Sequence, residues 1–131
     1  MTQVVLVTHG EFGDALLRSA EMIIGPQDGV HSVSLLAEES PEGFGAKLDA
    51  ALQDVGREDT LILIDLFGGT PYNVAARRVR EPHIECVTGL NLPMLIETLM
   101  SRDGATAADL AEVATQAGKE SVRNLGPLLN K

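Results

Sequence analysis

Few side chains in this sequence are imidazoles or thiols. It has three histidines and one cysteine. Of these, only His9 stands where the chain leaves an apolar run and meets a glycine, in Val7-Thr8-His9-Gly10. A second stretch carries complementary chemistry. Asp65-Leu66-Phe67-Gly68-Gly69-Thr70-Pro71 follows the unbroken apolar run Leu61 to Ile64, bends through two glycines, and restarts with Thr70 read as N-cap and Pro71 as the first helical residue. A carboxylate at a strand end, then a glycine turn, then a helix start builds an anion site from backbone N–H groups and the positive end of the helix. An imidazole beside such a site has two separable jobs. A carboxylate accepting from one ring N–H fixes the tautomer and leaves the other nitrogen nucleophilic. Facing backbone donors that stabilise phosphoryl oxygens, that nitrogen can accept a phosphoryl group. His9 oriented by Asp65 and backed by Gly68, Gly69 and Thr70 is thus a candidate phosphohistidine site, with Thr8 as a further donor beside His9. Each feature taken singly has a plainer reading: a solvated strand-end histidine, a turn aspartate, a common glycine pair.

The two stretches meet only if the fold brings them together. Gln3 to Thr8 has no polar alternation and suits a central parallel strand. A helix is expected from about Glu11 to Ile24, with Phe12, Leu16, Ala20 and Ile23 on its inner face, stopped by Gly25-Pro26. Val30 to Leu36 reads as a second strand nearer a sheet edge. Ser40-Pro41 opens a helix carrying Phe44, Leu48, Ala51, Leu52 and Val55 inward and ending at Gly56. Thr60–Asp65 is the third strand, a short helix runs to about Val79, and His83 to Thr88 is the fourth strand. Asn91-Leu92-Pro93 caps a helix with Leu92, Leu95, Ile96 and Leu99 inward. Thr106 starts another through Leu110, Val113, Ala114 and Ala117, which Gly118 ends or kinks. Glu120 to Gly126 reads either as more helix or as a short strand.

This order predicts an α/β, doubly wound, mainly parallel sheet. Ligands of such sheets sit beyond the carboxyl ends of the strands where the strand order reverses. With the order 2-1-3-4, His9 and Asp65 end neighbouring strands at that point.

Length and composition narrow the function. A chain of 131 residues is one domain with one core. With 44% hydrophobic and only 3% aromatic residues and no Trp, that core is built from Leu, Val, Ile and Ala. The formal net charge of -9 argues against nucleic acid or an anionic membrane as partner. A lone Cys86 cannot form an internal disulfide and reads as a small core residue, and no apolar run approaches the ~18 residues of a membrane span. A cytoplasmic protein is expected. His31 and His83 read as structural or surface, and three unclustered histidines make no metal site. Glu38-Glu39 and Arg77-Arg78 read as solvated surface. Leu66, Phe67 and Met22 are apolar candidates for a contact surface near the site, with a core role the simpler expectation for each.

Two rival motifs fit less well. A P-loop requires a lysine after the glycines, where this chain has Thr70-Pro71. A receiver-type phospho-aspartate requires acidic magnesium ligands at the end of the first strand, where this chain has Thr8-His9-Gly10.

At these residues the sequence resembles the mannose-family IIA component of the bacterial phosphoenolpyruvate:sugar phosphotransferase system. The matching pieces are Val7-Thr8-His9-Gly10, Ala20 to Gly25, Asp65 to Asn73 and Gly89 to Glu97. The last two fit the mannose type better than the related dihydroxyacetone-kinase phosphotransfer subunits. The resemblance implies one mannose-type IIA domain over residues 1–131 and a phosphoryl group on the His9 nitrogen remote from Asp65, with Gly69-Thr70 in the phosphate cradle. It implies the phosphohistidine of HPr as donor and a IIB component, or a regulatory target, downstream. No metal or organic cofactor is implied. It also implies a homodimer in which a C-terminal strand, Glu120 to Gly126, crosses antiparallel onto the other subunit's sheet. Some members continue into a IIB domain, whereas this chain stops at Lys131, so a stand-alone IIA is expected, serving sugar uptake or regulation. The competing class is a non-enzymatic anion- or nucleotide-binding module using the same helix start.

Overall fold

The computed structural model describes residues 1–131. Four strands and six helices follow in the order β1 (Gln3–His9), α1 (Phe12–Ile24), β2 (Val30–Leu35), α2 (Pro41–Val55), β3 (Thr60–Ile64), α3 (Gly69–Ala76), β4 (Ile84–Thr88), α4 (Leu92–Ser101), α5 (Ala107–Glu120) and α6 (Leu125–Leu128). The strands form one sheet in the order β2-β1-β3-β4, and every neighbouring pair is parallel. Reversal of the strand order falls between β1 and β3, as the sequence predicts.

Strand side chains alternate between faces, so two apolar strands feed two separate cores. Val4, Leu6, Leu61 and Leu63 pack with Ala20, Leu95, Leu99, Leu110 and Ala114 under α1, α4 and α5. Val5, Val7, Ile62 and Ile64 pack with Phe44, Leu48 and Val74 under α2 and α3. Because β1 and β3 are covered on both faces, their sequences lack polar alternation. In β2, an edge strand, only Val33 is buried. Burying one Leu or Phe of these cores contributes roughly 1.5–3 kcal/mol.

Local signals set most helix boundaries. The side chains of Ser40, Asn91 and Thr106 accept hydrogen bonds from the main-chain N–H groups of Gly43, Met94 and Asp109. Gly56 closes α2 with φ +66°, a conformation that favours glycine. Helix α1 lies differently from its apolar pattern. Gly13 and Ala20 face the sheet with half-buried Leu16, Leu17 and Ile24, whereas Phe12 and Ile23 are exposed. The approach of α1 to the sheet is set by small residues, which rotates the larger ones outward. Gly118 neither ends nor breaks α5. It is buried, and a Cβ there would lie 2.6 Å from the Met94 methyl group, so it lets α4 and α5 approach.

The tail corrects the expected C-terminal strand. Helix α5 runs to Glu120, and the chain then turns into the short α6. Ser121 Oγ donates to the Gly118 carbonyl, Asn124 Oδ1 accepts from the Gly126 N–H, and Pro127 has no N–H for a ladder. These local bonds hold the segment in turns, and Val122 shares a surface cleft with Cys86, Val87 and Thr88 of β4 without joining the sheet.

At the amino ends of the strands, Arg102 is only 2% exposed. Its guanidinium donates to the carbonyls of Gly29 and Asp28 and to Gln27 Oε1, fastening the α1–β2 connection. Burial pulls its pKa below the ordinary arginine value, opposed by Asp103 and Asp28.

Candidate functional site

The carboxyl ends of β1 and β3 lie side by side, with Val7 paired to Ile64. The next residues out are Thr8-His9 on one strand and Asp65 on the other. Two hydrogen bonds join them. The His9 main-chain N–H donates to Asp65 Oδ2 at 2.9 Å, and His9 Nδ1 lies 2.9 Å from the same oxygen. An ionised carboxylate only accepts, so Nδ1 carries a proton, and in the neutral ring Nε2 carries the lone pair. The Asp65 side chain is 14% exposed and the His9 side chain 46%. The carboxylate is therefore held inside the turn while the ring meets solvent.

Nε2 faces the start of α3. The turn Asp65 to Gly68 closes through Gly68 at φ +110° and Gly69 at φ +82°. A Cβ on Gly69 would lie 3.6 Å from His9 Nε2, so the missing side chain leaves the approach open. Helix α3 begins at Gly69 with Gly68 as N-cap, two residues earlier than the Thr70 cap read from sequence. The two positive-φ glycines complete the turn at once, and Thr70 falls inside the first helical turn, half-buried. No side chain caps α3. The first N–H groups of a helix have no partner within it, so those of Gly69 and Thr70 form a donor set next to Nε2. Asp65 Oδ1 is buried with no partner, so Oδ2 alone carries the contact to His9.

Thr8 departs from the expected phosphate contact. Side chains of successive strand residues point to opposite faces. With His9 toward α3, Thr8 points toward α1, where it is fully buried and its Oγ1 accepts from the Gly13 N–H at 3.0 Å. The structure places Thr8 behind the site. The sequence signal for its partner is a glycine in the first turn of a helix, where alanine would be favoured by about 0.5–1 kcal/mol.

The surroundings are open and apolar. Neither His9 nor Asp65 lines any cleft of the surface, and the largest, about 760 Å³ between α4 and α5, is formed by residues such as Pro93, Glu112 and Gln116. Phe67 is 71% exposed, with its ring centroid 5.0 Å from that of Tyr72 in an edge-on arrangement. Leu66, Leu36 and Phe12 are also exposed around the same sheet end, and Met22 is exposed further along α1. The core role expected for Leu66, Phe67 and Met22 is therefore incorrect. Their positions in a turn and on the outer side of α1 keep them off both cores.

The other sequence candidates lie elsewhere. His31 Nε2 meets Asp54 Oδ2 at 2.7 Å on the β2 edge, and the His83 carbonyl accepts from the Thr60 N–H. Arg78 is tied rather than solvated: Nε donates to Asp49 at 2.8 Å and a second nitrogen to the Val74 carbonyl at 2.6 Å, joining α3 to α2. Glu39 accepts from the Leu36 N–H and pairs with Lys47 at 2.9 Å, which together hold its carboxyl below the usual range. Cys86 is half-buried on β4, and burial pushes its thiol up to about 12. No group of three or more histidine, cysteine or acidic side chains is gathered to hold a metal ion. No helix is long and apolar enough to cross a membrane.

Comparison with known proteins gives the family of the chain. The EIIA-man family model, described as the PTS system fructose IIA component, matches residues 3–115. The chain belongs to this family. Its members are components of the phosphotransferase system, and this chain is a IIA component of the mannose type. It is 37% identical over 112 residues to the fructose-specific EIIA component of Bacillus subtilis, covering 84% of this chain and 77% of that protein. It is 38% identical over 125 residues to the mannose-specific EIIAB component of Escherichia coli (strain K12), covering 93% of this chain but only 39% of that longer protein. Among solved structures, the mannose/sorbose-specific IIA subunit from Enterococcus faecalis superposes with a TM-score of 0.88 at 38% identity. That superposition covers 94% of this chain and 93% of the other. The EIIA component from Streptococcus agalactiae superposes with a TM-score of 0.89 at 30% identity, over 97% and 99% of the two chains.

Proposed function

We propose that this IIA component, a single domain over residues 1–131, carries phosphoryl groups on His9 Nε2. It takes them from the phosphohistidine of HPr and passes them to a IIB component for sugar uptake, or holds them as a regulatory signal. The observation that carries this reading is the pair of 2.9 Å contacts on Asp65 Oδ2, which commit Nδ1 to its proton and leave Nε2 facing the glycine start of α3. In the transfer, the Nε2 lone pair forms a bond to phosphorus while the bond from phosphorus to the donor's ring nitrogen breaks, and the donor ring keeps that electron pair. His9 keeps its proton at Nδ1, so its ring becomes cationic beside the Asp65 carboxylate, and the donor ring becomes neutral. Phosphoryl oxygens meet the N–H groups of Gly68, Gly69 and Thr70.

A site on an open shoulder suits a protein donor better than a small molecule, which favours enclosed pockets. Exposed Leu66, Phe67, Leu36 and Phe12 supply an apolar centre for a transient contact. The protein works in the cytoplasm, needs no metal or organic cofactor, and does not bind nucleic acid or insert in a membrane. A homodimer is also part of this reading, supported by the open edge of β4 and by exposed Val122, Leu125, Leu128 and Leu129 in the tail.

The test is incubation with phosphoenolpyruvate, Enzyme I and HPr, followed by assay for an acid-labile, base-stable phosphate. Label retained by His9→Ala overturns the assignment. Tight nucleotide binding without phosphoryl uptake would place the protein among anion- or nucleotide-binding modules instead.

A further inference from the structure

The residue before His9 has its own task. Helix α1 begins without a side-chain cap, since its N-cap residue Glu11 makes no capping hydrogen bond. The cap comes from the preceding strand, where Thr8 Oγ1 accepts from the buried Gly13 N–H at 3.0 Å. Gly13 is shaped for this contact. A Cβ there would lie 2.9 Å from Thr8 Oγ1 and 2.8 Å from Ser32 Oγ, distances that side chains do not tolerate. On the other side of His9, the Gly10 N–H donates to the Leu35 carbonyl at 2.7 Å, with Gly10 at φ +54°. The main chain of His9 is thus fastened before it, after it, and at its own N–H by Asp65.

We infer that Thr8 and Gly13 are positioning residues for phosphoryl transfer. Their bond locks the strand-to-helix corner so that both the His9 N–H and Nδ1 reach one carboxylate oxygen, which holds Nε2 toward α3. A cap from Glu11 would serve the helix equally well, but it would not fix the residue next to His9. Threonine suits the position because its branched side chain has few rotamers and its hydroxyl is an acceptor. Valine keeps the shape and loses the acceptor, whereas serine keeps the acceptor and loses the methyl group. This inference rests on the His9 acceptor reading.

The experiment compares Thr8→Val and Thr8→Ser with the unaltered chain of residues 1–131. Two quantities are read: the nitrogen-15 NMR signature of the His9 ring in unphosphorylated protein, and the rate of phosphoryl uptake against phospho-HPr concentration. Thr8→Val should mix the two ring tautomers and slow uptake at saturating donor by about ten-fold, with half-saturation changed by less than about two-fold. Thr8→Ser should restore the single tautomer and a saturating rate within about three-fold of the unaltered protein. A Thr8→Val protein with an unaltered tautomer and saturating rate overturns the inference, whatever its melting temperature. If Thr8→Val does not fold, Gly13→Ala crowds the same contact without removing a hydrogen-bonding group, and the same two readouts decide. Absence of uptake by the unaltered protein would sink the acceptor reading instead, and the ring spectra would still decide whether the clamp sets the tautomer.

Discussion

Replacing Asp65 with asparagine keeps the shape of the side chain and removes its charge. Two donors converge on Oδ2, the His9 N–H and Nδ1, each at 2.9 Å. A hydrogen bond to a charged acceptor contributes about 1.5–3 kcal/mol, against about 0.5–1.5 kcal/mol for a neutral one. The substitution therefore loosens the hold on the Nδ1 proton by about 1 kcal/mol, roughly a five-fold shift in the tautomer ratio. The charge acts again during transfer, when the ring becomes cationic. Complete screening is impossible with Asp65 mostly inside the turn, but the ring is 46% exposed, so this part is set at about 1–2 kcal/mol. Together these give about 2–3 kcal/mol in the transition state, a loss of about 30- to 150-fold in saturating transfer rate. Rapid-quench measurement of phosphoryl uptake from phospho-HPr reads the rate, nitrogen-15 NMR of the His9 ring reads the tautomer, and a melting curve confirms the fold. A folded Asp65→Asn protein with transfer within about three-fold of the unaltered protein and a single Nδ1–H tautomer would mean that the Asp65 charge neither sets the tautomer nor stabilises the cationic ring.

Other outcomes follow from the same geometry. Gly69→Ala puts a methyl group 3.6 Å from Nε2 on a backbone at φ +82°; it should cost about 1–2 kcal/mol of stability and reduce uptake, read by melting and by labelling. Phe67→Ser removes an exposed apolar contact without touching a core; it should raise the half-saturating HPr concentration several-fold and leave the melting temperature nearly unchanged, and the reverse pattern would show that Phe67 is a structural residue. Arg102→Ala uncaps buried carbonyls at the far end of the sheet; a loss of about 3 kcal/mol in chemical denaturation is expected, with the uptake rate of the folded protein unaffected. Cys86, with its thiol raised from 9.0 to about 12, should alkylate far more slowly than a free thiol at mildly alkaline pH. Because the folded state favours the neutral thiol, this contribution to stability is complete below about pH 9 and is lost as pH rises through about 12. Denaturation midpoints of Cys86→Ala and the unaltered protein should converge across that range.

Much of the molecule is written locally in its sequence. The apolar runs Val4–Val7 and Leu61–Ile64 declare strands covered on both faces. Ser40, Asn91 and Thr106 declare helix starts, and Gly68-Gly69 declares a turn that only glycine completes. These features depend on neighbours a few residues away, so they are legible without the fold. The meeting of His9 and Asp65, 56 residues apart, depends on β1 and β3 being adjacent, which the alternation of strands and helices implied and the sheet established. The direction of Thr8 was within reach of strand alternation. Once His9 turns toward α3, its neighbour must turn toward α1.

Other features were decided only in three dimensions. Gly13, rather than the larger apolar residues of α1, sets that helix on the sheet, which leaves Phe12 and Ile23 outside. Arg102 lies in a polar stretch that looks like surface, yet the α1–β2 connection offers it three oxygen acceptors and it is buried. Phe67 follows a buried strand, yet a turn that leaves the sheet carries it into solvent. Sequence specifies backbone conformation and the apolar period, because both are short-range. Which face a side chain ends on, and which distant group it meets, is fixed by how closely the layers approach, and that distance is set by packing across the whole sheet.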